Sequence, residues 1–139
     1  MITQGQCTVF KVHCLEGLEN FNTGSPYTYK IALYTALADL GPDTLTYTTV
    51  NEIGGTGYTA GGQVLYPTTP TSSGTTAYLS FANVTWSPAS FTVRGALIYN
   101  STTNAAVAVL DFGSDKIATN SFTITFPPAT ASDAIIRIN

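Results

Sequence analysis

The sequence predicts a mainly β fold, a β-sandwich or jelly-roll-like barrel of about eight strands with one N-terminal helix. Three observations predict it. Apolar residues recur at helical spacing in one place only, residues 8–21. From Tyr27 onward the chain is a succession of short runs rich in Val, Ile, Thr, Tyr and Phe, which suit a pleated, half-buried surface. Clusters of Gly, Pro, Asn and Thr separate those runs, with no internal repeat and no second composition regime. A chain of 139 residues then reads as a single β domain over 1–139, with the helix at about 8–21 and the sandwich at about 27–138.

The helix rests on Cys7, Phe10, Cys14, Leu18 and Phe21, which share one face at steps of three, four, four and three. Lys11, Glu16 and Glu19 fall elsewhere on the circumference. In NTGSP, Gly24 supplies a positive φ and Pro26 discourages continuation, so the helix is expected to end there.

Strands are predicted near 28–35, 44–50, 57–66, 76–82, 90–100, 105–112, 121–127 and 134–138. In SFTVRGALIYN, alternation puts Phe91, Val93, Gly95, Leu97 and Tyr99 on one face; in SFTITF it does the same for Phe122, Ile124 and Phe126. The run AVAVL, residues 106–110, is apolar on both faces. It suits a strand covered on both sides or one lying in a subunit contact.

Between two of these strands stands NEIGGTGYTAGGQ, with five glycines in thirteen residues, Asn51 to Gln63. Gly55, Gly57 and Gly61 superficially resemble a dinucleotide fingerprint, but a phosphate cradle needs a helix after the glycines to present its free N–H groups. Here Pro67 and Pro70 follow in a Thr- and Ser-rich stretch, and no Lys-Ser or Lys-Thr completes a Walker pattern. The glycines are therefore expected to be backbone requirements. Gly54 and Gly55 would turn the chain, Gly57 would start a strand, and Gly61 and Gly62 would form a bulge that lets Tyr58 and Leu65 face the core.

Few residues offer catalysis. His13 is the single histidine, and on a helix its side chain diverges from that of Cys14 by about 100°, which does not make a nucleophile pair. Cys7 and Cys14, about 10 Å apart along a helix, are too distant for a disulfide and read as reduced core residues. With His13 they would still lack a fourth metal ligand at a recognisable spacing. The acids Glu16, Glu19, Asp39, Asp43, Glu52, Asp111, Asp115 and Asp133 form no paired motif, although separation in space is not legible in sequence. DFGSDK at 111–116 contains the Asp-Phe-Gly of protein kinases without their other elements, and is expected to be a turn after a strand. Trp86 reads as a core aromatic rather than a sugar platform. The expectation is a protein that is not an enzyme, with no catalytic, cofactor-binding or metal-binding residues and no cofactor.

Composition points to partners instead. Only 9% of residues are charged while 44% are hydrophobic, so Thr, Ser, Asn, Gly and Ala must make much of the surface. Such a surface is easily desolvated on contact. A net charge of −3 and the lack of a basic run argue against direct nucleic-acid binding. No segment has the roughly 18 apolar residues of a membrane span, and MITQGQCTVFKVHC does not look like a secretory signal, so synthesis is expected in the cytoplasm. Asn83-Val84-Thr85 and Asn100-Ser101-Thr102 then read as chance glycosylation matches. A homo-oligomer, or docking on a larger scaffold through the AVAVL sheet and the N-terminal helix, is expected, held by apolar contact and backbone pairing.

The ordered segments FK, LEGLENF, YKIALYTA, YTTVNEIGGTGYTAGGQVL, FANVTWSPASFTVRGALIYN, AVAVLDFGSDK and FTITFPPATASDAIIRI resemble a family of small structural proteins encoded among the virion genes of tailed bacteriophages. The resemblance covers about Phe10 to Ile138 and departs from the family's acidic turn at ENFNTGSP. It implies a structural component of the virion, made in the host cytoplasm, with no catalytic residues to carry over. A capsid decoration or cement protein bound to the major capsid protein is the favoured role. A tail or collar accessory protein is second, and a carbohydrate- or receptor-binding module third.

Overall fold

Ten strands and one helix build the chain in the computed structural model, which describes residues 1–139. The fold is mainly β, with 42% strand and 6% helix, and it is sandwich-like with the helix at the N-terminal side. In chain order the elements are β1 (Gly5–Gln6), α1 (Thr8–Glu16), β2 (Tyr29–Tyr34), β3 (Gln63–Leu65), β4 (Thr71–Ser73) and β5 (Thr76–Leu79). They continue with β6 (Val84–Trp86), β7 (Phe91–Asn100), β8 (Ala105–Ala118), β9 (Phe122–Ile124) and β10 (Ile136–Ile138).

The main sheet has the order β1-β8-β7-β2-β3, antiparallel throughout. Two smaller sheets, β10-β5-β4 and β6-β9, complete the structure. Strands β2, β7 and β8 form the centre because their residues are apolar on both faces: Ile31 to Tyr34, Gly95 to Asn100 and Ala105 to Leu110 are all buried. AVAVL is thus covered on both sides within the chain itself. The expectation that it would form an exposed association patch is corrected: α1 packs against β8, and Leu45 and Tyr47 join its start through Ala106 N–H to Leu45 C=O and Tyr47 N–H to Asn104 C=O, both 3.0 Å.

Aromatic rings tie the layers together. Phe10, Phe21, Phe81 and Phe126 form one chain of contacts at centroid distances of 5.5–6.1 Å, with Phe21 stacked on Tyr29 at 4.2 Å. Tyr58, Trp86, Phe122 and Phe112 form another at 6.0–6.4 Å, anchoring the β6-β9 pair. Phe91, Val93, Leu97 and Tyr99 are buried as the alternation predicts, as are Ile124 and Phe126, while Phe122 is half-buried.

Several boundaries differ from expectation. The helix stops at Glu16, not 21, because Gly17 takes φ 74° and returns its N–H to Cys14 C=O while Leu18 N–H reaches His13 C=O. That is a glycine C-cap, seven residues earlier than the Gly24 stop. Phe21 still reaches the core, but from the loop, and Leu18 is exposed. The run 44–50 is not a strand; it makes one isolated bridge, Thr46 to Ala105. The predicted 57–66 strand shrinks to β3, since Gly57, Gly61 and Gly62 all have positive φ. Strands β1, β4 and β6 were not expected. DFGSDK does not end β8 either. It forms a bulge within it, where the pairing steps from Gly95 with Asp111 to Val93 with Lys116.

Candidate functional site

The glycine-rich stretch carries an anion after all, and the anion is its own. Glu52 sits inside the segment, and its carboxylate accepts hydrogen bonds from Gly61 N–H at 2.8 Å, from Tyr47 OH at 2.6 Å and from Tyr58 OH. The glycines let the chain fold back so that a backbone N–H nine residues downstream points at that carboxylate. Tyr58 OH also accepts from Leu33 N–H at 2.9 Å, and Tyr99 OH donates to Gly61 C=O at 2.7 Å. Tyr47 stacks on Tyr99 at 4.6 Å, and Tyr34 OH donates to Thr48 C=O at 2.6 Å. The loop is thereby stitched to β2 and β7.

Burial first, and the Glu52 carboxylate second, push the phenols of Tyr34, Tyr58 and Tyr99 above the ordinary tyrosine range, Tyr99 to about 12. Tyr47 is raised by the same two causes. These hydroxyls are held neutral, as donors. The arrangement positions a loop, with one donor on one carboxylate oxygen and two on the other.

A second polar cluster lies where α1 ends. The Glu19 carboxyl, 1% exposed, accepts from Tyr29 OH at 3.0 Å and from Asn100 Nδ2 at 2.9 Å, while its other oxygen has no hydrogen-bond partner. His13 Nδ1 stands 3.9 Å from that oxygen. The early stop at Gly17 swings Glu19 back beneath His13. Burial holds the Glu19 carboxyl above the usual carboxylate range, against the opposing pull of Asn100, Tyr29 and His13. Asn100 itself is fully buried, its Oδ1 accepting from Thr102 N–H and Thr103 N–H, which takes its side chain out of reach of glycosylation.

Both cysteines are free thiols. Cys7 caps the start of α1 in the core, and Cys14 is half-buried. Burial, then the charge of Asp43 for Cys7 and of Glu19 for Cys14, pushes each thiol up to about 11. At pH 8 this lowers the thiolate of Cys14 roughly a hundredfold from its ordinary level. Because a more basic thiolate is also more nucleophilic, alkylation of Cys14 by iodoacetamide is expected to run about ten times slower in the folded protein than in urea. Equal rates would show that the thiol is not shielded.

Asp111, Asp115, Trp86 and Asn83 lie elsewhere in the fold. Arg94 stands opposite the β8 bulge, 3.5 Å from Asp111 and 4.0 Å from Asp115. Asp111 Oδ1 also accepts from Gly113 N–H at 2.9 Å. Trp86 is 1% exposed against Tyr58 and Phe122, so no sugar can stack on it. Asn83 Oδ1 accepts from Phe126 N–H at 2.9 Å.

Several large apolar side chains face outward. Leu15 on α1 is 90% exposed, Leu37 79%, and Ile138 on β10 52%. Between α1 and β10 lies a hollow of about 530 Å³ with Phe10 and Cys14 at its base, and an adjoining hollow of about 260 Å³ shares Phe10, Cys14 and Ile138. A third, of about 580 Å³, opens between β8 and β9 over Phe112, Ile117 and Phe122. The exposed leucine of α1 was missed because the predicted helical stripe passes through positions 14 and 18, not 15.

No protein-family profile, no curated protein and no solved structure matches this chain.

Proposed function

We propose that this chain is a structural component of a tailed-bacteriophage virion, a capsid decoration or cement protein that stabilises the particle through apolar and backbone contacts. The ordered sequence segments support the virion reading. The observation that carries an association role is the set of large apolar side chains held outside a well-filled core, Leu15 and Ile138 beside a hollow and Leu37 on a separate turn. A chain with so few charges has little to keep such side chains apart from a partner surface. The titratable groups support a non-catalytic reading: Glu52 is consumed by its three donors, and both thiols are pushed away from the nucleophilic thiolate. The second reading, a tail or collar accessory protein, uses the same surfaces on another part of the particle.

The test uses particles made by the genome that carries this chain. Mass spectrometry of purified particles is expected to find it at a stoichiometry tied to the capsid protein for decoration, or at a few copies for tail or collar. Leu15→Asp, at a position exposed enough to leave folding intact, is expected to lower the retained copies at least tenfold. A chain absent from purified particles sinks the reading.

A further inference from the structure

We propose that the hollow between α1 and β10 receives the turn around Leu37 of a second copy of this chain, in a head-to-tail contact. The inference rests on the association role above and names the first partner. The groove offers an apolar base of Phe10 and Cys14 between Leu15 and Ile138, with Lys11 and Arg137 on its rim. Its volume of about 530 Å³ lies within the range of pockets that hold several apolar groups.

Charge selects the occupant. The whole chain has five Lys and Arg against eight Asp and Glu, and two of the five cations stand on this rim, which no acidic side chain lines. Neither Lys11 nor Arg137 takes part in the ion pairs of the chain. Arg137 Nη1 donates to Ser132 C=O at 2.7 Å, which steadies the guanidinium and leaves its other donors free for an incoming carboxylate. The groove is a cationic, apolar spot on an acidic protein.

The complementary feature is on the same molecule. Leu37 projects from the turn after β2 with 79% of its surface exposed, and two residues later the Asp39 side chain is 99% exposed. Asp39 has one charged neighbour, the Met1 amino group at 3.8 Å, and that pair is itself fully in water and easily exchanged. An apolar knob with a carboxylate beside it matches an apolar hollow with cations beside it. Because groove and knob are different surfaces, the contact is heterologous and propagates into a ring or a row of copies, a suitable geometry for covering a repeating lattice. A single knob in a groove buries little area, so the solution contact is weak and gains strength from repetition on a scaffold.

Sedimentation velocity of the purified chain from micromolar to about millimolar concentration tests this. The wild type is expected to form concentration-dependent oligomers. Leu15→Asp, which spoils the groove, and Leu37→Asp, which spoils the knob, are each expected to leave monomers at concentrations where the wild type associates. Mixed one to one, they retain one good groove and one good knob, and should form dimers and nothing larger. Lys11→Glu and Asp39→Lys are each expected to weaken association about three- to tenfold, and the double variant to recover most of the loss. Circular dichroism checks that every variant is folded. The proposal is overturned by a wild type that stays monomeric throughout, by oligomers of Leu37→Asp equal to the wild type, or by a charge-swapped double variant weaker than both single ones. A chain present in particles yet monomeric in solution would overturn this contact and leave the virion reading standing. Head-to-tail oligomers of a chain absent from particles would do the reverse.

Discussion

Gly62→Ala is expected to destabilise the protein by about 3 kcal/mol, and Gly57→Ala by a similar amount. Two costs add at each position. Gly62 has φ 78° and Gly57 φ 87°, a region an L-alanine enters only at a cost of about 1 kcal/mol. The new Cβ would then collide with main chain: with Ile31 C=O of β2 for Gly62, and with Pro88 C=O for Gly57. A carbonyl in a central strand is not free to step aside, because β2 is paired with β7 over all six residues, Tyr29 to Tyr34. Gly61 is the internal control. Its φ is 97°, but a Cβ there meets only side-chain ends, the Tyr99 hydroxyl at 3.4 Å and Lys30 Nζ at 3.8 Å, so alanine should cost about 1 kcal/mol. Urea denaturation with an unchanged m-value reads the order directly. Equal midpoints for Gly61→Ala and Gly62→Ala would show that close approach to β2 is not what position 62 requires.

Glu52→Ala should cost about 3 kcal/mol or more, since it strands three donors, the hydroxyls of Tyr47 and Tyr58 and the N–H of Gly61, in a part-buried site. Glu52→Gln separates charge from geometry. One oxygen survives as acceptor for Tyr47, but the new NH₂ faces two groups that also donate, so a loss of about 1–2 kcal/mol is expected. The same denaturation series reads both variants, and amide exchange at Gly61 reports the clamp itself, with faster exchange expected in Glu52→Ala than in Glu52→Gln. A Glu52→Ala protein as stable as wild type, with Gly61 still protected, would mean that the stacked Tyr47 and Tyr99 rings hold the loop without the carboxylate.

Both sets of substitutions probe one segment, first at its backbone and then at its side chains. The positions of the glycines and the failure of the phosphate-loop pattern are legible in NEIGGTGYTAGGQ, because φ > 0 is a local property that glycine satisfies. The partner of the Gly61 N–H is not. Glu52 lies within the same segment and looks like one acid among eight, and only the fold brings Tyr47 and Tyr58 to it from either side. The same division runs through α1. The apolar stripe correctly places Cys7 and Phe10 in the core, yet the helix is capped at Gly17, where a tight cap and the burial of Phe21 against Tyr29 outweigh five further residues of helical pattern, 17–21. That early stop carries Glu19 to His13, a pairing that helix geometry would not allow at a separation of six.

By itself the sequence determined the β class, the single N-terminal helix, the two-faced apolar character of 106–110 and the need for glycine at 57, 61 and 62. All of these follow from periodicity and backbone freedom, which act over a few residues. Tertiary structure decided what covers each apolar face. AVAVL is buried within the chain, with α1 packed against β8 and the 44–47 segment bonded along its start, and Leu15 and Leu37 are left outside instead. It also decided that 44–50 is not a strand, since its backbone groups find partners at Asn104 and Ala106 by single contacts rather than in a ladder. The physical reason is the same in each case: a pattern of side chains specifies that a surface must be buried, while the choice of what buries it is a competition among segments distant in sequence.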